Sequence, residues 1–138
     1  MQGLHLTNDL SGCAPPLALM TDPAALRQLC LAAVAEVGLQ AVGALFHRFT
    51  PQPRQDPDTV GVTGVVLLAE SHLAVHTWPE QAAVTLDVYV CNLGQDNGAP
   101  AQALMRRLTL AFQASAENPQ ALQRGRLGEW PRHTVARL

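Results

Sequence analysis

Charge is scarce in this 138-residue chain: Asp, Glu, Lys and Arg make up 14% of it, and their balance leaves a formal net charge of −2. That excludes the basic footprint of a nucleic-acid binder and any polybasic stretch for an anionic lipid surface. No apolar run approaches a membrane span, and the first residues lack the charged-then-apolar layout of a secretory leader, so neither anchor nor leader is expected. Cysteine is sparse too. Cys13, Cys30 and Cys91 are odd in number, widely spaced and without a CxxC pair, which argues against a disulfide framework and suits reduced thiols in a cytoplasm. Aromatics amount to 4%, and no internal repeat is visible. What is present is a 48% hydrophobic composition, sufficient for one domain with a real core. A surface this poor in charge predicts a face for self-association or for a ligand.

Residues 2–8 alternate as a first strand, and 14–21 reads as a proline-bearing connection. Asp22-Pro23 opens a helix, a capping acid followed by proline at the first helical position. Leu26, Leu29, Cys30, Ala33, Val34 and Val37 recur at helical spacing, and Gly38 closes the element. Cys30 belongs to that apolar stripe and reads as core packing. Strands are predicted over 39–49, 61–69 and 73–78, with a Pro/Gln/Asp-rich loop at 50–60. The clearest alternation is 83–91, with Val84, Leu86, Val88 and Val90 on one face and Thr85, Asp87, Tyr89 and Cys91 on the other. After a loop at 94–98, Pro100 introduces a second amphipathic helix carrying Leu104, Met105, Leu108, Ala111 and Phe112. The tail from 116 is polar and basic; 124–126 reads as a loop or short strand, and the last residues as loose. The predicted class is α+β: a two-layer α/β sandwich, its sheet mostly antiparallel, with helices on one face.

The run from Ala69 to Glu80 departs from ordinary core strands. It sets Glu70-Ser71-His72 between two apolar segments, with His76 five residues beyond Ser71. Burying such groups unpaired would cost about 1–3 kcal/mol each, so their presence points to chemistry. Residues an odd number apart on a regular strand face opposite ways, so bringing Ser71 and His76 together calls for a bend or bulge near 70–73.

Ala69-Glu70-Ser71-His72-Leu73-x-x-His76-Thr77-Trp78-Pro79-Glu80, followed by Leu86-Asp87-Val88-x-x-Cys91, resembles the prokaryotic S-adenosylmethionine decarboxylase family. Gly3-x-His5-Leu6, Phe46-His47-Arg48-Phe49 and Gly61-Val62-Thr63-Gly64-Val65 extend the likeness over roughly residues 3 to 112. The resemblance implies an inactive precursor that cuts itself at Glu70-Ser71 into chains 1–70 and 71–138, leaving a covalent pyruvoyl group derived from Ser71. The Ser71 hydroxyl would attack the Glu70 carbonyl and turn amide into ester. Loss of the Ser71 α-proton would then expel the ester oxygen, and hydrolysis would leave the keto group. A serine hydroxyl needs activation for this, and by resemblance His76 and Thr63 (a serine in many members) assist. The pyruvoyl carbonyl would form a Schiff base with an α-amino acid and accept the electron pair left by CO2, making the protein a carboxy-lyase. By resemblance Cys91 returns the proton, and a thiol is a serviceable general acid near neutral pH. Phe49, Trp78 and Glu80 would hold the substrate: aromatic rings for the base or the sulfonium, and a carboxylate for ribose hydroxyls. The implied product feeds spermidine and polyamine biosynthesis, and the implied assembly is a homodimer of cleaved protomers with sheets meeting face to face.

Plainer readings stand beside these. Ser71 could be an ordinary edge serine, Cys91, Phe49 and Trp78 core packing, and His47 and Arg48 a solvated strand end. His72 and His76 have H-x3-H spacing, but the flanking residues argue strand, no third ligand matches, and no metal is expected. The chain also departs from the family after Glu80, where Gln81-Ala82-Ala83-Val84 replaces an aromatic and glycine set. Asn92 follows the cysteine where glycine is common, and the 50–60 loop is longer. These changes touch substrate recognition rather than the cutting apparatus, which leaves L-ornithine or L-arginine as alternative substrates. A non-catalytic regulatory paralogue is the rival of another class, and it would not need Ser71, His76 and Cys91 together.

Overall fold

Along 83–91 the alternation holds up to its last residue: Val84, Leu86, Val88 and Val90 are buried and Thr85, Asp87 and Tyr89 half-exposed, but Cys91, read on the polar face, is buried. The computed structural model describes residues 2–125 and contains six strands: β1 (Gly3–Ser11), β2 (Ala41–Arg48), β3 (Val62–Leu68), β4 (Ser71–Trp78), β5 (Ala83–Cys91) and β6 (Ala116–Arg124). They form one sheet in the order β2-β3-β4-β5-β1-β6, and every neighbouring pair is antiparallel.

Three helices accompany the sheet: α1 (Leu17–Thr21), α2 (Pro23–Glu36) and α3 (Gly98–Ala111). The Asp22 carboxylate accepts from the Ala24 N–H at 2.9 Å and Pro23 occupies the first turn, so the predicted start of α2 is realised. Gly38, at φ +78°, follows the helix in the left-handed region that favours glycine. α2 lies over β2 and β3, α3 over β1 and β5, and α1 against β4. Leu26, Cys30, Ala33 and Val34 of α2 join Leu104 and Leu108 of α3 and the inward residues of the sheet in a single core. Burial pushes the Cys30 thiol up to about 12, as a core cysteine requires. Thr77 is a fully buried polar residue inside. Its hydroxyl donates to the Met20 carbonyl at 2.7 Å and accepts from the Val62 N–H at 2.8 Å, tying α1 to the sheet.

Three expectations need correction. Part of the 14–21 connection is the short helix α1, seated by buried Met20. The polar tail from 116, given no element beyond a loop or short strand at 124–126, forms β6, an edge strand whose nine residues are all exposed. It shows no apolar alternation because neither face is buried, and Pro119 is tolerated because the strand lies at the sheet edge. The buried Asn8 side chain pins it, donating to Glu117 at 2.9 Å and accepting from the Asn118 N–H at 3.1 Å. Arg124 closes β6, whereas Arg126 and the last residues, read as loose, lie outside the described residues. Finally, no bend or bulge interrupts β4: its register with β3 and β5 is continuous from Ser71 to Trp78. The chain reverses instead at Ala69-Glu70, between the paired residues Leu68 and Ser71.

Phe112 is fully buried where α3 ends. Phe112→Ala should lower stability by about 3–5 kcal/mol, measured as a fall in the urea midpoint with an unchanged slope.

Candidate active site

Antiparallel register lays the outer face of the sheet in rows. One row runs Gly43, Leu67, His72, Tyr89, His5, Leu122. The next runs Leu45, Val65, Ala74, Asp87, Thr7, Gln120, and the third His47, Thr63, His76, Thr85, Asp9, Asn118. No helix among the described residues covers this face, and Leu45, Leu67 and Leu122 are 69%, 52% and 59% exposed.

Ser71 opens β4 beside the first row. It borders two clefts. One, of about 460 Å³, is lined by Leu39, Gln40, Glu70, Leu93 and Asn97; the other, of about 740 Å³, by Leu67, Glu70, His72, Tyr89 and Arg124. Glu70 is exposed in the turn. Extending the β4–β5 register by two pairs puts Cys91 across from position 70, so the bond expected to be cut and the predicted proton donor share one end of the sheet. Cys91 is only 5% exposed, and its thiol shares a 3.2 Å hydrogen bond with the Tyr89 hydroxyl. Tyr89 is held by the His5 and His72 rings, with centroids 5.7 and 5.8 Å away, and by the Arg124 guanidinium 5.0 Å above its ring. Gly3 makes room for it, since a Cβ there would stand 2.8 Å from Tyr89 Cε2. Its hydrogen bond with Cys91 holds the phenol above the ordinary tyrosine range, burial and the Cys91 charge add to this, and Arg124 opposes it.

The other predicted residues gather at the opposite end. Thr63 Oγ1 and His76 Nδ1 share a 2.6 Å hydrogen bond across β3 and β4. Phe49 and Trp78 stack with centroids 5.5 Å apart, and together with Glu80, Gln52 and Gln55 they line a third cleft of about 490 Å³. Arg48 does not merely solvate the strand: it donates to the Pro57 carbonyl and straps the 50–60 loop. Five residues of strand separate Ser71 from His76, about 16 Å at 3.3 Å per residue, and Trp78 is about 23 Å away. Within one chain, then, Ser71 and Cys91 are together, Thr63, His76, Phe49, Trp78 and Glu80 are together, and the two groups are apart.

A cluster that sequence reasoning did not assemble lies beside Ser71. The Asp87 carboxylate bridges His5 Nε2 at 2.8 Å and His72 Nε2 at 3.0 Å. Its residues were visible in the Gly3-x-His5-Leu6, Ser71-His72-Leu73 and Leu86-Asp87-Val88 segments, but only the strand order brings them together. The three donor sets lie within 4.8 Å of one another, close enough for a cation, although each is already engaged in the His–Asp hydrogen bonds. His72 and His76, the spacing first weighed for zinc, are about 13 Å apart on the extended strand.

The same architecture occurs in a solved enzyme. The crystal structure of the adenosylmethionine decarboxylase from Aquifex aeolicus superposes with a TM-score of 0.76 at 29% identity, covering 94% of this chain and 95% of that one. The S-adenosylmethionine decarboxylase family pattern matches residues 4–125. The S-adenosylmethionine decarboxylase proenzyme of Pelotomaculum thermopropionicum is 32% identical over 136 residues, 99% of this chain and 97% of that protein. Its namesake in Pyrococcus furiosus is 32% identical over 123 residues, 89% of this chain and 78% of that protein. The chain belongs to the S-adenosylmethionine decarboxylase family.

Tyr89 is the single tyrosine of the chain, so its titration is directly visible by ultraviolet absorbance. Cys91→Ala should move the phenol midpoint down toward the ordinary value, because the contact that holds the proton is lost. An unmoved midpoint would show that Cys91 is not its cause.

Proposed function

We propose that this chain is a self-cleaving proenzyme that decarboxylates S-adenosylmethionine through a pyruvoyl group made from Ser71. The observation that carries the reading is the setting of the Glu70–Ser71 bond: exposed in a hairpin turn, between two clefts, with Cys91 across from it. A keto group at position 71 fits there, since the residue borders open space on both sides and a thiol stands at the same end. When present, that group supplies the electron sink for loss of CO2 from an α-amino acid. Cys91 holds the proton for the carbon left behind, and its contact with Tyr89 orients the thiol. Phe49 and Trp78 offer ring faces for a flat base or a sulfonium, and Glu80 an acceptor for ribose hydroxyls. The cut would yield chains 1–70 and 71–138. Three cysteines among the described residues, none in a disulfide, suit a reducing cytoplasm, and no helix of the described residues is long and apolar enough to cross a membrane.

Residues separated by about 16–23 Å cannot serve one small substrate within one chain. A homodimer resolves this. If two outer faces meet about a two-fold axis running between the sheets along the Leu45–Val65–Ala74–Asp87–Thr7 row, each β4 is reversed over the other. Ser71 and Cys91 of one protomer then face the partner's Thr63, His76, Phe49 and Trp78. Exposed Leu45, Leu67 and Leu122 supply apolar surface for the contact.

Intact mass spectrometry of the wild type should give two fragments, the second with a blocked, carbonyl-bearing terminus. Ser71→Ala should stay whole, and Cys91→Ala should be cut yet turn over at least tenfold more slowly. CO2 released from ornithine or arginine but not from S-adenosylmethionine would overturn the substrate assignment. For the dimer, a Ser71→Ala chain should be co-expressed with a differently tagged His76→Ala chain. The His76→Ala chain should be cut in the mixture though it is not cut alone. If it stays whole in both, His76 acts within its own chain.

A further inference from the structure

The His5–Asp87–His72 cluster fixes where protons sit beside position 71. A carboxylate only accepts, so both imidazoles must present N–H at Nε2 to Asp87. Arg124 Nη1 lies 3.4 Å from His5 Nδ1, and a guanidinium only donates, so His5 is used at both nitrogens. In neutral His72 the tautomer imposed by Asp87 leaves the lone pair on Nδ1. The His72 side chain is 37% exposed and lines the 740 Å³ cleft that Ser71 also borders. The other charged or titratable groups around it are Glu70, Asp87, His5, Tyr89 and Arg124.

We propose that His72 is a catalytic general base for the incoming substrate, with Asp87 as its positioning residue. This rests on the reading of position 71 as a reactive keto group. An α-amino acid arrives with its nitrogen protonated and without a lone pair. His72 Nδ1 takes one ammonium proton: the substrate N–H bond breaks, an Nδ1–H bond forms, and the electron pair stays on the substrate nitrogen, which becomes the neutral amine that a carbonyl carbon requires. Asp87 holds the imidazole in the tautomer that can do this and offsets the positive charge the ring gains, the division of labour of a carboxylate–imidazole pair in hydrolases. General-base assistance of this kind contributes about 10²–10⁴-fold.

The test compares two nucleophiles on purified, cleaved protein, reading adducts by intact mass. Methoxyamine is neutral near pH 7 and has no proton to give up; S-adenosylmethionine, captured with cyanoborohydride, does. His72→Gln should label with methoxyamine at the wild-type rate but form the substrate adduct about 10²-fold or more slowly, and the gap should close as pH rises toward the range of the ammonium group. Equal slowing with both reagents, or slowing with neither, overturns the role. Should His72→Gln fail to fold or be cut, nitrogen NMR of the wild type decides: Nε2–H on His72 agrees, and Nδ1–H overturns the proposal. Wild-type protein that does not label with methoxyamine would instead overturn the keto group at position 71, a failure distinct from that of His72.

Discussion

An unbroken hydrogen-bond ladder from Ser71 to Trp78 governs everything functional in this chain. A strand side chain has two choices of face, and once Leu68 pairs with Ser71 and Thr63 with His76, every other residue of β3, β4 and β5 is assigned. Slipping by one residue would drive Leu73, Val75 and Thr77 out of the core and His72 and His76 into it. The fully buried Leu73 and Val75 make that slip expensive, since each large apolar side chain brought out of water is worth about 1.5–3 kcal/mol. The polar outer face is therefore held in place by the apolar face behind it.

That division explains the uneven chemistry of the two sides. α2 and α3 cover one face and require it to be apolar. Among the described residues the other meets no helix, so it can carry three histidines, an aspartate, a tyrosine and three threonines, each half-buried. It is too polar for a core and, at Leu45, Leu67 and Leu122, too apolar for bulk water. A second copy of the same face would supply both kinds of partner, and the same pairing would join the two halves of the proposed site. Dimerisation and catalysis would then draw on one set of contacts.

Much of this was legible in sequence because it is local. The Asp22-Pro23 cap, the stripe of α2 and the alternation of β5 each depend on a handful of neighbouring residues whose burial writes a pattern. β6 wrote none, because an edge strand exposed on both faces leaves its composition free, and its partner Asn8 lies more than a hundred residues away. The site divides the same way. Ser71, His76 and Cys91 stand out by motif, whereas the joining of His5, His72 and Asp87 depends on β1 entering the sheet beside β5, which no local pattern encodes. The expected bend near 70–73 came from assuming that one chain must bring Ser71 to His76. Parity forbids that on a straight strand, and the structure keeps the strand straight.

The strand order also bears on how such a protein could survive being cut. A break between 70 and 71 would leave β1, β2 and β3 on one fragment and β4, β5 and β6 on the other. The order β2-β3-β4-β5-β1-β6 interleaves them: β3 pairs with β4, and β1 is held between β5 and β6. Three ladders and the shared core would therefore cross from one fragment to the other. The bond lies in a two-residue turn whose ends those ladders already hold, so opening it releases only the turn. A cut inside any strand would have taken ladder bonds with it. A cut at the hairpin between β3 and β4 would combine exposure of the bond to attack with retention of both fragments, and it would leave residue 71 as a chain end at the cleft that His72 and Tyr89 line, near Cys91.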